Sequence, residues 1–311
     1  MYDQVLSSGQ HREKRHKDNI VRKDLKFIAN GCELDGWLYT PDFGKAPYPT
    51  IVMSHGFGAI KEMALDKFAE VFCAAGFACL VYDHRNTGKS AGEPRGELDP
   101  AQQISDMRDA ITYAIMQPEV DGDRIGLWGT SYSGGHVLVV AATDRRVKCV
   151  VSQVPTISGY KNTLRSIPTD KFDAFLAELN EDRLNRAKGL PPKMVPISTE
   201  GSESYAWSIV AGKGTGYVNS VTLRTRDLRM AYEPGAFLPR ISPTPLLMVL
   251  ATNDTRCPTD DQLAAYSTAH EPKKLHLFKG GHYEPYGIRL AETAGAACDW
   301  FTEHLVTKWG Q

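Results

Sequence analysis

A chain of 311 residues is long enough for one large α/β domain or two small ones. Its 42% hydrophobic and 23% charged residues are ordinary for a globular protein, and a net charge of −1 gives nucleic acid or an anionic membrane surface nothing to attract. No apolar run approaches the length that spans a bilayer, and the start Met1-Tyr2-Asp3-Gln4 lacks the positive segment and apolar block of a secretory signal. Six cysteines (Cys32, Cys73, Cys79, Cys149, Cys257, Cys298) form no CxxC pair, and several sit in apolar runs. Free buried thiols in a reducing, cytoplasmic compartment are expected.

Residues 1–24 read as a polar N-terminal arm, basic through His11-Arg12-Glu13-Lys14-Arg15-His16-Lys17. Such a run serves as a solvated terminal segment or as a grip on an acidic partner or a second subunit, which makes it a route to a homo-oligomer. Leu25–Ile28 and Glu33–Tyr39 pair as strands around Asn30-Gly31. Thr50–Ser54 is a strand running into His55-Gly56-Phe57-Gly58, and Leu65, Phe68, Ala69 and Phe72 then repeat at helical spacing over 62–75. Phe77–Tyr82 is the next buried strand. Thr87-Gly88-Lys89-Ser90 has the tail of a phosphate-binding loop, but Asp83 stands where that loop needs its first glycine and no apolar helix follows. It reads as a surface loop.

Asp99 with Pro100 begins a helix whose buried stripe is Ile104, Met107, Ile111, Ala114 and Ile115. After the loop Asp121-Gly122-Asp123 comes an apolar strand, Ile125–Trp128, then Gly129-Thr130-Ser131-Tyr132-Ser133-Gly134-Gly135 and a helix to Ala142. A strand turning sharply into a helix through Gly-x-Ser-x-small is a nucleophile elbow. Strand and helix nearly touch there, so the flanking residues must be small; Ser133 departs from the usual glycine but meets that need. Val147–Val154 is a further strand. From Pro155 to Ser242 the strand pattern stops, and short helical pieces with scattered aromatics replace it. An insertion of that length between core strands is functional more often than not, and it reads as a helical lid. Strands return at Pro245–Ala251 and Lys274–Phe278, and Leu290, Ala294, Ala297, Phe301 and Leu305 form the closing helix.

A serine hydroxyl is a weak nucleophile and needs a base, with a third group to orient it. In open α/β sheets such groups lie beyond the carboxyl ends of the strands. Among nine histidines, His282 follows the last strand in Lys279-Gly280-Gly281-His282 and is the expected general base. His276 lies within that strand, His136 within the elbow helix and His304 within the closing helix. Asp254, directly off a strand with Pro258 four residues on, is the expected orienting acid. Asp260 and Asp261 are its rivals, placed to cap the next helix. Cys257 is a conceivable second nucleophile, but no base is offered to it. The oxyanion donors should be the amide of Tyr132 and one from the His55–Gly58 turn, expected at Phe57.

This order, HGFG, then GTSYSGG, a long insertion, Asn253-Asp254 and finally GGH, resembles the α/β-hydrolase superfamily. The GxSYxGG form resembles its X-Pro-dipeptidyl-peptidase-like branch. SHGFGAIKEM with WGTSYSGGHVL is similar to small bacterial and fungal hydrolases, including fungal polyketide transferases and thiohydrolases. The resemblance covers about residues 25–155 and 243–308, and it implies Ser131, Asp254 and His282 as triad with Phe57 and Tyr132 as oxyanion donors. The expected fold is an α/β-hydrolase fold: a mostly parallel eight-stranded sheet, helices on both faces, and a lid inserted after the sixth strand. Core residues would be 25–154 and 243–311, with the lid at 155–242.

The expected function is acyl transfer through a Ser131 acyl-enzyme, by hydrolysis or transfer to an alcohol, on an ester or thioester with a sizeable acyl chain. The fungal relatives imply a place in polyketide or secondary metabolism, with a carrier protein as one route of substrate delivery. Two alternatives stand beside it. An aminopeptidase-like serine peptidase would need carboxylates for the substrate amine, for which the acids at 178–182 are available. A non-catalytic binding protein on the same fold would be expected to lack a triad member, and none is missing. No metal motif or dinucleotide fingerprint occurs, so no cofactor is expected.

Overall fold

Apolar runs alternating with amphipathic helices can all be buried at once by a central sheet covered on both faces. The structure, a computed structural model describing residues 13–15 and 20–309, is built this way. In chain order the strands are β1 (Glu13–Arg15), β2 (Ile20–Ala29), β3 (Cys32–Pro41), β4 (Tyr48–Ser54), β5 (Ala78–Tyr82), β6 (Val120–Thr130), β7 (Val147–Gln153), β8 (Met194–Val195), β9 (Val221–Thr222), β10 (Leu246–Ala251) and β11 (Lys273–Phe278). The main sheet runs β1-β2-β3-β5-β4-β6-β7-β10-β11. The pairs from β1 to β3 and β3 to β5 are antiparallel, and all pairs from β5 through β11 are parallel.

The helices are α1 (Leu65–Ala74), α2 (Pro100–Ile115), α3 (Tyr132–Thr143), α4 (Gly159–Ser166), α5 (Phe172–Ala187), α6 (Glu203–Ala211), α7 (Leu223–Met230), α8 (Thr259–Thr268) and α9 (Leu290–Thr302). Alternate strand residues feed two cores. Ile51, Met53 and Trp128 pack with α1 and α9, whereas Val52 and Leu127 pack with α2 and α3. Asp99 caps α2 by accepting from the amides of Ala101 (2.9 Å) and Gln102 (3.3 Å).

Several expectations need correction. The sheet has nine strands, because the backbone of Glu13–Arg15 pairs with β2; the insertion therefore follows the seventh strand. That pairing is made by backbone groups at a sheet edge, so an all-charged triplet can join without an apolar pattern to announce it. Residues 20–24 of the expected arm belong to β2, and the remainder, 1–12 and 16–19, and with it most of the proposed subunit contact, lies outside the described residues. β6 starts at Val120, so Asp121-Gly122-Asp123 is strand, with a register shift where β6 meets β4. The insertion holds a two-stranded ribbon, β8 with β9, besides its helices. Within it Phe175 and Leu179 of α5 pack on Leu223, as their helical spacing predicts.

The loop after β5 is not a plain surface loop. Thr87 and Ser90 are buried, and Ser90 Oγ donates to the Asp83 carbonyl (2.7 Å) while accepting from the Asp35 amide (2.9 Å). Gly88, at φ +49°, passes so close to Asp83 that a Cβ would fall 2.3 Å from its Oδ2. Asp83 in turn holds the segment after the His55–Gly58 turn. It accepts from the backbone amide of Lys61 (2.7 Å) and from its ammonium (2.6 Å), which also meets Asp35 (2.6 Å).

Lys61 is fully buried, so removing its charge leaves Asp83 uncompensated in the interior. Lys61→Met is expected to cost about 3–5 kcal/mol, read as a lowered urea midpoint. An unchanged midpoint would show that the ion cluster does not hold this segment.

Candidate active site

β6 passes into α3 through a backbone conformation that few side chains tolerate. Ser131 has φ 55° and ψ −115°, a strain of about 1–3 kcal/mol that the surroundings must hold in place. They do so from both sides. The Ser131 amide donates to the Gln153 carbonyl (2.9 Å), and the Thr156 amide donates to the Ser131 carbonyl (2.9 Å). A Cβ on Gly129 would lie 2.2 Å from the Ser133 carbonyl oxygen, so only glycine fits at that position.

The carboxyl ends of β6, β10 and β11 bring three of the predicted residues together. Ser131 Oγ is 3.0 Å from His282 Nε2, and His282 Nδ1 is 2.7 Å from Asp254 Oδ2. A carboxylate can only accept, so Nδ1 carries the proton and Nε2 is left as the acceptor facing Ser131. Asp254 is fixed by its other oxygen, which accepts from the amides of Arg256 (2.8 Å) and Cys257 (2.7 Å). Both His282 and Asp254 are buried, while Ser131 is partly open.

The expected oxyanion donors flank Ser131. Tyr132 is the first residue of α3, where a helix leaves its amides without intrahelical acceptors. Phe57 stands in the turn after β4, its ring edge-to-face with that of Tyr132 at 5.2 Å. The turn comes so near that a Cβ on Gly56 would be 3.0 Å from Ser131 Cβ.

Ser133 does more than satisfy a size limit. Its Oγ donates to the His55 carbonyl (2.5 Å) and lies 2.9 Å from His84 Nε2, which must then be the donor. The His84 amide in turn donates to His55 Nε2 (3.2 Å). The elbow helix is thereby tied to the His55–Gly58 turn. His136 continues the buried chain: Nε2 lies 2.9 Å from Gln103 Oε1 and Nδ1 lies 2.6 Å from the Tyr232 hydroxyl. Gln Oε1 only accepts, so His136 donates to it and receives from Tyr232, a residue of the insertion.

The other candidates take different places, and of these only Cys257 lines the cavity with Ser131. Asp260 and Asp261 do not cap α8, whose N-cap is Pro258; they lie in its first turn and pair with Arg165 (2.9 and 3.1 Å), and Asp261 also with Lys161 (2.9 Å). Cys257 is buried with Sγ 3.4 Å from Thr156 Oγ1, and burial pushes its thiol up to about 12, so it stays protonated. His276 lies on β11 with Nε2 3.4 Å from Glu292, and His304 packs on Trp300 at 4.1 Å.

A cavity of about 170 Å³ opens over Ser131. Core residues Phe57, Tyr132, His282 and Tyr286 line it together with Asn162, Ile197, Trp207 and Arg229 of the insertion. Trp207 stacks on Tyr283 at 5.1 Å, and Tyr283 lies edge-on to His282 at 5.0 Å. None of the described residues lining the cavity is Asp or Glu. Among the described residues no group of three or more His, Cys, Asp or Glu is placed to hold a metal ion, and no helix is long and apolar enough to cross a membrane.

The sheet order, the elbow and the carboxyl-end site define an α/β hydrolase. Residues 30–187 match the X-Pro dipeptidyl-peptidase (S15 family). The chain is 34% identical to the quorum-quenching protein AidA of Acinetobacter baumannii (strain MDR-ZJ06), over 85% of this chain and 88% of that one. It is 32% identical to a thiohydrolase of Eupenicillium brefeldianum, again over 85% and 88%. The crystal structure of the α/β hydrolase GrgF from Penicillium sp. sh18 is similar with a TM-score of 0.79 at 31% identity, covering 91% of this chain and 99% of that one. The chain belongs to the X-Pro dipeptidyl-peptidase (S15) family, and it is an enzyme of the serine hydrolase and acyltransferase class.

Sequence reasoning missed the partners of Ser133, the linkage through His84 and His136, and Arg229. Only Ser133 carried a signal, as the one departure from the elbow pattern. The histidine chain also sets a pH dependence. Burial lowers His55 and His84 from the ordinary imidazole value, and lowers His136 from 6.5 to about 3. Between those limits the unfolded chain binds the extra proton, so stability is complete above about pH 6.5 and is lost as pH falls. At pH 5 His136 alone should withdraw about 2 kcal/mol. Thermal melts should therefore show Tm falling from pH 7 to 5, with a shallower slope in His136→Gln; a flat profile would remove the linkage.

Proposed function

We propose that this chain transfers acyl groups through a covalent Ser131 acyl-enzyme, with an ester or thioester as donor. His282 Nε2 takes the Ser131 proton as Oγ bonds to the substrate carbonyl carbon. The carbonyl oxygen gains the negative charge and is held by the amides of Phe57 and Tyr132. When the tetrahedral intermediate collapses, the bond to the leaving alcohol or thiol breaks and His282 returns the proton to it. Water, or an acceptor alcohol, then gives its proton to His282 and releases the acyl group from Ser131. Asp254 holds the imidazole in the required tautomer and stabilises its charged form.

One observation carries this reading: an unbroken chain of 3.0 and 2.7 Å from Ser131 through His282 to Asp254 at the floor of a covered cavity. The relatives support an oxoester or thioester substrate with a sizeable acyl chain, since one is named a thiohydrolase and another a polyketide transferase. The aminopeptidase alternative is disfavoured. Glu178, Glu181 and Asp182 line a separate hollow, where Glu178 pairs with Lys193 (2.8 Å) and Asp182 with Arg186 (2.8 Å). A substrate ammonium would instead meet the arginines of the Ser131 cavity.

Ser131→Ala should lose p-nitrophenyl-ester turnover by about 10⁴-fold or more with Tm unchanged, and Asp254→Asn by about 10²–10⁴-fold. A fluorophosphonate should add one mass label, at Ser131; a label on Cys257 would overturn the assignment. Matched ester, thioester and peptide substrates, each with and without an acceptor alcohol, separate hydrolysis from transfer and both from peptidase action.

A further inference from the structure

Many arginines of this chain are matched by an anion of their own. Arg85 is held by Asp106, Arg146 by Asp144, Arg165 by Asp260 and Asp261, and Arg224 by Glu97. Arg229, in the last turn of α7, is different. It lines the cavity over Ser131, with its guanidinium carbon 5.6 Å from the centre of the Phe57 ring. One Nη donates to Thr163 Oγ1 (3.0 Å), while Nε is shut off from solvent and has no acceptor. Among the described residues the charged groups that act most on it are Arg226 and Arg256, both cations, beside the neutral side chains of Tyr132 and Cys257. Burial, followed by those two cations, holds the guanidinium below its ordinary value. A half-buried guanidinium with no anion paired to it among the described residues is costly to keep, and it persists where a ligand supplies the missing anion.

We propose that Arg229 is an anion-binding element of the substrate pocket, pairing with an oxyanion of the acyl donor while the donor's carbonyl lies on Ser131. This rests on the acyl-transfer reading. The guanidinium is a planar fork that matches a carboxylate or phosphate. Arg229 sits over the Phe57 ring and lines the same cavity as Ser131, so one bound molecule can offer an anion to the first and its carbonyl to the second. The anion has two sources: a carboxylate on the acyl chain, or a phosphate on the thiol leaving group. Arg256, exposed at the cavity wall, adds positive potential along the approach.

Two matched pairs of donors test the proposal: p-nitrophenyl hydrogen adipate against p-nitrophenyl hexanoate, and hexanoyl-CoA against hexanoyl-N-acetylcysteamine. In the unmodified enzyme the charged member of one pair should have the higher kcat/KM. In Arg229→Gln that charged-to-neutral ratio should fall at least tenfold, chiefly through KM, and Arg229→Lys should restore part of it. A fall in the adipate pair places the anion on the acyl chain; a fall in the CoA pair places it on the leaving group. A general structural defect lowers both members together, so unchanged ratios in both pairs overturn the proposal. Should Arg229→Gln fail to fold, calorimetric titration of Ser131→Ala protein reads the site without turnover. Adipate should bind at least tenfold tighter than 1,6-hexanediol, or CoA than pantetheine, and parity in both comparisons overturns the proposal. Anion binding without turnover of any ester or thioester by the unmodified enzyme would instead fail the acyl-transfer reading alone.

Discussion

The site depends on one unfavourable backbone conformation. Ser131 sits at positive φ between a buried strand and a buried helix, and nothing about serine favours that position. It is kept there because β7 and the residues after it grip its amide and carbonyl, and because Gly129 lets α3 close to within a side chain's thickness of β6. A relaxed bend would turn the hydroxyl away from His282 and displace the Tyr132 amide, the proposed oxyanion donor. The rest of the sheet acts as the frame that makes relaxation more costly than strain.

The second consequence is that Ser131 and the His55–Gly58 turn cannot move independently. Ser133 grips the His55 carbonyl, and His84 grips both Ser133 and His55. Beyond this chain, Lys61 and Asp83 fix the segment that leaves the turn. A glycine at 133 would satisfy the elbow but leave the His55 carbonyl without this donor. The departure from the pattern thus exchanges a little room for a rigid link between two halves of the site, which is what electrostatic preorganisation requires.

What the sequence revealed follows from how local each signal is. The elbow, the strands with their two-sided apolar runs, the cap at Asp99 and the placement of Asp254 and His282 just past strand ends are written in a few consecutive residues. Edge pairing by Glu13–Arg15 is made by backbone alone, and Asp260 and Asp261 look like caps until the partners Arg165 and Lys161 arrive from the insertion. Arg229 gave no signal at all: Leu223–Met230 reads Leu-Arg-Thr-Arg-Asp-Leu-Arg-Met, and three arginines on a short helix look solvated. Only the fold reveals that the third faces a cavity.

The insertion is fastened to the core by groups that also serve the site. Tyr232 holds His136 of the elbow helix, Trp207 stacks on the neighbour of His282, and Arg165 and Lys161 bind the first turn of α8, close after Asp254. These contacts place the insertion beside the base, where an activated water would have to stand to hydrolyse the proposed acyl-enzyme. For the acyl-enzyme proposed above, the choice between water and an acceptor alcohol would then depend on how tightly these contacts hold while the acyl group is bound. Hydrolase and transferase would then differ in the roof of the cavity, with the same serine, histidine and aspartate beneath it.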